Sequence, residues 1–599
     1  MESDKPPGES RPRQPKQQVW REIGRFLYPF RRQLAGLAIL TAGISLIAMT
    51  PPLMTRAIID RVITRGEHNL LWGLGILMIT VPVVHAMSAF LQVQGLAIVG
   101  QRLILSIRTR LYEHLLSLSM RFFSKHSVGK LINRLLTDSS TVQQVATAQA
   151  VQVLSDLVCA TFALSITFTI NRSMSWLLLG VVALFVLNYR LNYRRLRVTT
   201  RQHRRAEDRL AGALQNQLAA NLTVKTYGAE DREHIAFRQL SDTNLNLIRN
   251  TEFASIEFNM NTVLIRDIGR AVIYFAGCWL VLNDKASYGD VIALTSYAIQ
   301  LLDPAVRFSL LAQQLQDAGV SMGRILGLFH EQPEIPRQRS ARRIPARLRG
   351  NVEFDHVRFG YHPDRIILHD FCLAVPAGNT VALVGPTGCG KTTLVSLLLR
   401  FYDVLDGAIR IDGTDIREMD PHTLRRQFGL VLQEPLLFDI PIADNIRYSR
   451  PTASRDEIEA AARVAEIHDE IMALPRGFDT PCGGRHGIHL SVGQKQRVSI
   501  ARAVLADPAM IIMDEATSSL DSDSEQAIQV AMARFLQGRT SFVVAHRLST
   551  IRNANPIVLL RQGRILETGC HADLMARPHG EYRNLYLRHM GQGVLEVEP

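Results

Sequence analysis

At 599 residues, with 47% hydrophobic and 21% charged side chains and a mean hydropathy of +0.05, the chain is too long for one ordinary domain and too apolar for a wholly soluble protein. Its 68 Lys and Arg against 55 Asp and Glu give a formal net charge of +13, which suits nucleic acid, an anionic membrane surface or the cytoplasmic loops of a membrane protein. The six cysteines (Cys159, Cys278, Cys372, Cys389, Cys482, Cys570) are scattered, which excludes a close-paired zinc or redox motif and reads as free thiols in a reducing compartment.

The first 18 residues are polar and Pro-rich, without the apolar core of a cleavable signal peptide, and read as a disordered cytoplasmic tail. Residues 19–330 follow as a membrane domain. Apolar stretches recur at Leu34–Met54, Leu70–Val93, Val151–Ile170, Trp176–Leu187, Val263–Leu282 and Val291–Leu311. A helix needs about 20 largely apolar residues to cross a bilayer, so about six spans are expected. The amphipathic regions Gln101–Gln144 and Tyr193–Asn250 separate spans on one side, while the opposite connections, Asn171–Met174 and Asn283–Asp290, are short. Helices extending beyond the membrane on one side only would give this pattern.

The densest basic run, Arg190, Arg194, Arg195, Arg197, Arg201, Arg204, Arg205 and Arg209, directly follows the fourth apolar stretch. That is where a positive-inside loop belongs, and it makes nucleic acid an improbable partner. The long side and both termini are therefore expected in the cytoplasm, with the chain a multi-pass protein of the plasma (inner) membrane. Charged groups within spans are costly and mark partners or cavities. These are Asp156, Arg266, Asp267, Arg270, Asp303 and Arg307. Arg266 and Arg270 share one helix face. With Asp303 they are candidate cavity residues for an anionic or amphipathic substrate, unless Asp303 or Asp156 neutralises the arginines as structural pairs.

After a basic, Pro-containing linker (331–350), the texture becomes short β-type runs alternating with helical runs, which indicates an α/β domain over 351–592 with a largely parallel sheet. The segment TVALVGPTGCGKTT carries Gly385, Pro386, Thr387, Gly388, Cys389, Gly390, Lys391, Thr392 and Thr393 between a strand and a helix. This is the phosphate-cradling loop in its required context. Its glycines let backbone N–H groups converge on phosphate, Lys391 reaches the terminal phosphates, and Thr392 can ligate Mg²⁺. Downstream, MIIMDE puts Asp514 and Glu515 at the end of an apolar strand. Asp514 suits the metal of a bound nucleotide and Glu515 the attacking water.

LSVGQ (Leu490–Gln494), about twenty residues before that acidic pair, resembles the LSGGQ signature of ATP-binding cassette proteins. Tyr361 in FGY, Gln433 in LQEP, Asp521 in SSLD and His546 in VVAHRLST match further cassette landmarks. The segments Phe122–Asp138 and Thr223–Glu233 look like coupling segments of multidrug- and lipid-A-type exporters. The resemblance implies an α-helical membrane bundle followed by an α/β P-loop domain, with ATP and Mg²⁺ as cofactors. Tyr361 would stack on adenine, Gln433 would sense Mg²⁺ and the membrane domain, Asp521 would bridge cassettes, and His546 would contact the γ-phosphate. In that family one chain is a half-transporter, and Ser491, Gly493 and Gln494 of a partner complete each ATP site. A homodimer exporting a small amphipathic molecule (lipid, drug, glycan or peptide) is expected, with a heterodimer or a non-transport ATPase as alternatives. The chain departs from the family pattern twice. Val492 stands where the signature has Gly, and Arg485 where an acidic residue is usual.

Overall fold

The computed structural model describes residues 16–333, 345, 347–362, 364–433, 435–483, 487–514, 522–544, 552 and 554–589. The chain divides into two compact units, a helical one ending at Glu331 and a second one beginning at Gln332, to which the short stretch Leu118–Ser124 also belongs.

The first unit is built from α1 (Lys16–Leu27), α2 (Arg31–Ala48), α3 (Thr50–Ala57), α4 (Asn69–Ser117), α6 (Val128–Asn133), α7 (Ser139–Gln144), α8 (Ala150–Ile170), α9 (Arg172–Ala219), α10 (Asn221–Thr226), α11 (Glu230–Leu282) and α12 (Tyr288–Phe329), while α5 (Met120–Lys125) falls in the stretch that groups with the second unit. Wider π turns at Ile58–Ile63, Arg134–Asp138 and Val145–Gln149 join α3 and α6–α8 into longer rods. At about 1.5 Å per residue, α4, α9 and α11 run roughly 70–80 Å, far longer than a bilayer needs. The amphipathic regions of the sequence are thus continuations of the spans. Tight stops at the other end make this possible. Asn171 alone separates α8 from α9, and its side chain accepts from Met174 N. Ser287 and Asp290 cap α12 reciprocally.

Four helical stretches are long and apolar enough to cross a membrane: Arg21–Ile63, Asn69–Ser117, Val128–Ile170 and Arg172–Ala219. The count of six is not confirmed. The apolar part of α11 carries Arg266, Asp267 and Arg270, and three charges within one span exceed what composition alone accepts. In α12 the corresponding part carries Asp303 and Arg307.

Two buried carboxylates tie the 128–170 rod to α12. Asp138 accepts from Ser321 Oγ at 2.7 Å and lies 3.5 Å from Arg324. Asp156 accepts from Arg307 at 2.6 and 3.2 Å and from Gln152 at 3.0 Å. Asp156 is therefore committed to Arg307 and not to Arg266 or Arg270, while the side chain of Asp303, the other acid offered above for those arginines, lies outside the described residues. An acid as buried as Asp156 needs such a partner, since removing one member of a buried pair costs about 3–5 kcal/mol.

The second unit has two sheets. Strands β1 (Val352–Phe359), β2 (Leu368–Val375), β4 (Asp406–Ile411) and β5 (Thr414–Asp415) form an antiparallel sheet in the order β2-β1-β4-β5. Strands β3 (Thr380–Val384), β6 (Phe428–Val431), β9 (Met510–Asp514), β10 (Thr540–Val544), β11 (Ile557–Arg561) and β12 (Arg564–Gly569) form a sheet in the order β12-β11-β3-β10-β9-β6, parallel except at β12. A short pair, β7 (Ile440–Pro441) and β8 (Pro481–Cys482), lies apart. The main helices are α13 (Lys391–Leu398), α14 (Pro421–Arg425), α15 (Ile442–Arg447), α16 (Arg455–Val464), α17 (His468–Met472), α18 (Val492–Leu505) and α19 (Ser522–Leu536), with α20 (His571–Met575) and α21 (Glu581–His589) at the end.

The residue patterns explain the two sheets. Strand β1 alternates buried and exposed side chains, as a sheet with one wet face requires, whereas β3, β9, β10 and β11 are buried almost throughout, as a sheet covered on both faces requires. One core cluster, with Phe354, Phe371, Leu397 and Phe542, fills the space between the two sheets and α13. A second, with Ile458, Phe478, Val498 and Phe535, fills the opposite side under α15–α19.

The ATP site and the family it identifies

Parallel strands end together at one edge, and that edge collects the chemistry. β3 runs into Gly385, β9 ends at Asp514, and β6 ends at Val431, two residues before Gln433. Val544, the last residue of β10, is in register with Asp514 and with Leu383 of β3. Loops at the carboxyl ends of such strands are where this kind of sheet binds ligands. Glu515, Asp521 and His546 lie outside the described residues.

The phosphate loop is held by three glycines in backbone conformations that side chains rarely adopt: Gly385 (φ 152°), Gly388 (φ 83°) and Gly390 (φ 112°). A Cβ on Gly385 would lie 2.3 Å from Leu560 O, and one on Gly390 2.9 Å from Leu368 Cδ2. Gly385 therefore excludes a side chain by space as well as by φ, and Gly390 chiefly by φ. Gly390 also begins α13 with no side-chain cap. The N–H groups of Thr387, Gly388 and Gly390 have no acceptor among the described residues. With the helix dipole behind them they form an anion cradle. Lys391 is 7% exposed and arches back across the loop, donating to Gly385 O (2.7 Å) and Pro386 O (3.1 Å), with Cys389 Sγ at 3.9 Å. Cys389 is itself buried, so its thiol forms part of the loop's packing. Thr392 is exposed on the first turn, where its hydroxyl can reach a ligand. Tyr361 lies over the next residue, with its hydroxyl 3.4 Å from Thr393 Oγ1, and packs edge-on against Phe359 and Tyr402.

The signature begins α18. Ser491 Oγ accepts from Gln494 N at 3.2 Å and Gln494 Oε1 accepts from Ser491 N at 2.9 Å, a reciprocal cap. Gln494 Nε2 donates to Glu470 at 2.9 Å, and Arg497 is ion-paired with Glu470 at 2.6 Å. Gly493 is buried, and Val492 is 46% exposed, so its branched side chain faces outward without strain. Among the described residues no hydrogen bond joins this turn to the phosphate loop. Arg485 lies outside the described residues.

Residues 34–305 match the family model described as the ABC transporter transmembrane region, and residues 368–518 match the one described as ABC transporter. A Staphylococcus aureus (strain NCTC 8325 / PS 47) protein, named for an inferred role as a multidrug export ATP-binding/permease protein, is 34% identical over 90% of this chain and 94% of its own length. The chain belongs to the ABC transporter family. A Bacillus subtilis (strain 168) protein with the same kind of name is 32% identical over 95% of this chain and 99% of its own length. Among solved structures, a bacterial Atm1-family ABC exporter with ATP bound superposes with a TM-score of 0.79 at 29% identity, over 95% of this chain and 99% of that one. The protein is an ATP-binding, membrane-embedded exporter whose ATPase domain drives transport.

Within the exporter, sequence reasoning missed the residues that fix the loop after Gln433. Asn445 is fully buried. Its Oδ1 accepts from Phe438 N (2.9 Å) and its Nδ2 donates to Phe438 O (3.0 Å) and Ile440 O (3.2 Å). Arg502, on the signature helix, donates to Asn445 O (2.8 Å) and Oδ1 (3.0 Å), and burial lowers its pKa from the usual arginine value. The strand-end loop carrying Gln433 and the helix carrying the signature thus share one polar anchor. Nothing in the local sequence distinguishes Asn445 from an ordinary helix residue.

The intramembrane candidates separate. Arg266 pairs with its neighbour Asp267 at 3.1 Å. Arg270 is exposed and has no ion pair among the described residues. The side chain of Asp303 lies outside the described residues.

Proposed function

We propose that the exporter works as a homodimer in which each ATP is held by the phosphate loop of one chain and Ser491, Gly493 and Gln494 of the other. The observation that carries this reading is the contrast within one chain. The phosphate loop presents unengaged amides, while the signature turn is outward-facing and bonded only within its own helix and to Glu470 of α17. Each half of the site needs a complement that the same chain does not offer it.

At such a site Tyr361 stacks on adenine, Lys391 neutralises the terminal phosphates, Glu515 polarises the attacking water, His546 steadies the γ-phosphate, and Asp521 bridges the cassettes. Thr392, Asp514 and Gln433 supply hard oxygen donors, a set that fits Mg²⁺, which when bound offsets charge on the phosphate oxygens. The reading takes 1–18 as a cytoplasmic tail, 19–330 as a six-span membrane domain in the plasma (inner) membrane, 331–350 as the linker and 351–592 as the cytoplasmic ATPase. The cargo is a small amphipathic molecule, in keeping with the multidrug export named for the relatives. Arg270, exposed and unpaired among the described residues, and Arg266 favour an anionic group on that cargo.

Complementation tests the reading. Lys391→Met and Ser491→Ala, each strongly impaired alone in proteoliposomes, regain ATP-driven uptake of amphipathic dyes when co-reconstituted, because each mixed dimer holds one intact site. A mixture no more active than its two parents would refute the composite site.

A further inference from the structure

Helix α9 carries one continuous exposed face through both its apolar and its basic halves. Its exposed apolar residues Trp176, Ala183, Val186 and Leu187 and its arginines Arg190, Arg194, Arg197, Arg201 and Arg205 follow helical spacing. At about 100° per residue the five arginines fall within an arc of about 80°, and the apolar four lie on the same stripe. The buried residues Leu178, Val181, Phe185 and Asn188 lie on the opposite side, where Asn188 donates to Thr262 of α11. Arg195, on another face, pairs with Glu257 at 2.6 Å, and Arg204, at the edge of the stripe in line with Val186, pairs with Asp317 at 2.6 Å. None of the five on the stripe is ion-paired among the described residues, although Arg197 lies 5.9 Å over the ring of Tyr193. Asp208 ends the stripe.

We propose that this stripe binds anionic phospholipid headgroups of the leaflet on the basic side of the membrane. Topology alone requires arginines beyond the span but not on one face of the helix. Here they continue the face whose apolar part is left uncovered, so the surface that meets acyl chains turns basic where the chains end. Arg190 lies roughly 5 Å and Arg194 roughly 10 Å past Leu187 along the axis, against a headgroup layer roughly 5–8 Å thick per leaflet. Arg197, roughly 15 Å past Leu187, lies beyond it. Arg201 and Arg205 stand farther out and act through the surface potential, which decays over about 8–10 Å. The inference rests on the reading that α9 spans the bilayer with its basic end in the cytoplasm.

The test uses the full-length exporter in nanodiscs of phosphatidylcholine with a minority of phosphatidylglycerol, counting retained lipids by native mass spectrometry. Removing an arginine near the surface lowers anionic-lipid enrichment roughly fivefold, so Arg190→Gln/Arg194→Gln loses about 25- to 30-fold. Arg209→Gln, the loss of one charge off the stripe, changes it less than twofold, against the roughly fivefold expected of one arginine on it. Arg190→Lys/Arg194→Lys keeps most of it. ATP hydrolysis in detergent, measured on each variant, shows that the fold is intact and separates this proposal from the reading of the ATP site. Full enrichment in the double Gln variant overturns the proposal, as does a roughly fivefold loss in Arg209→Gln. Equal displacement of the lipid by inorganic phosphate would mean a soluble-anion site. Dissociation into single chains with unchanged lipid would assign the stripe to a second copy. Either result would overturn it too.

Discussion

The phosphate loop and the signature turn both begin a helix, and they prepare that helix end in opposite ways. Gly390 starts α13 from a left-handed backbone with no side chain to offer, leaving the amides before it open. Ser491 starts α18 from an extended backbone (φ −61°, ψ 163°) and closes a reciprocal cap with Gln494. The first end is shaped for an anion before one arrives, at the expense of backbone strain that only glycine tolerates. The second is stable by itself, and its serine must yield or share its 3.2 Å bond when phosphate approaches. Substitutions in the loop should therefore act on geometry and charge together, and substitutions in the turn mainly on the contact across the dimer.

The largest effect expected is that of Lys391→Met. The substitution keeps the stem and removes an ammonium held by Gly385 O and Pro386 O. Losing one preorganised donor costs on the order of 100- to 1,000-fold in turnover. ATPase assays should show that loss, with nucleotide binding weakened as well. Residual hydrolysis above a tenth of the parent's would mean that the loop amides carry the charge unaided.

Gly385→Ala comes next. Its Cβ would sit 2.3 Å from Leu560 O, a backbone atom of β11 that cannot rotate away. Strained backbone and overpacking each cost about 1–3 kcal/mol, so both thermal stability and hydrolysis should fall, the latter at least about tenfold. Gly388→Ala is the matched control. With nothing within 4 Å of its added Cβ, it bears only the conformational cost. Equal losses at the two positions would show that space at Leu560 is irrelevant.

Much of this was legible beforehand because the phosphate loop is a local device, in which glycine spacing, lysine and flanking hydrophobic runs all lie within one short segment. The parallel strands were legible for a similar reason, since β3 (TVALV) and β9 (MIIMD) read as nearly unbroken apolar runs. The antiparallel sheet was not separated from them, because the pairing of β1 with β2 across Val352↔Val375 is a tertiary fact. The partner of Asp156 was not legible for the same reason. Arg307 lies 151 positions away, and only the antiparallel run of α12 against the 128–170 rod brings them together. The anchor Asn445–Arg502 joins two helices by side-chain-to-backbone bonds, a pattern that leaves no periodic trace. Span counting succeeded where apolar runs were clean and stopped at α11, whose three charges look alike to composition whether they face cargo, lipid or protein.

Ser491→Ala separates local from intermolecular roles. The lost cap destabilises α18 by about 1 kcal/mol, an effect that thermal unfolding of the whole exporter should scarcely register. A hydrogen bond to a charged phosphate is worth about 1.5–3 kcal/mol, so hydrolysis should fall roughly 10- to 100-fold. Ser491→Thr keeps an acceptor for the cap and a hydroxyl for the phosphate and should restore most of that activity. A stability loss with unchanged turnover would confine the serine to capping its own helix.

Val492→Gly, which writes the usual glycine back into the signature, should do least. Where glycine is required, as at Gly385, the neighbouring backbone or φ demands it, whereas Val492 is the first residue of a regular helix with its side chain 46% exposed. An exposed position without such features shifts stability by no more than about 0.5 kcal/mol, and turnover should stay within about twofold of the parent. A tenfold gain would show that in the closed dimer the valine methyls press against the nucleotide. The outward face of the turn would then be as crowded as the inward face of the loop, and the contrast between the two helix ends would hold only for the separate chain.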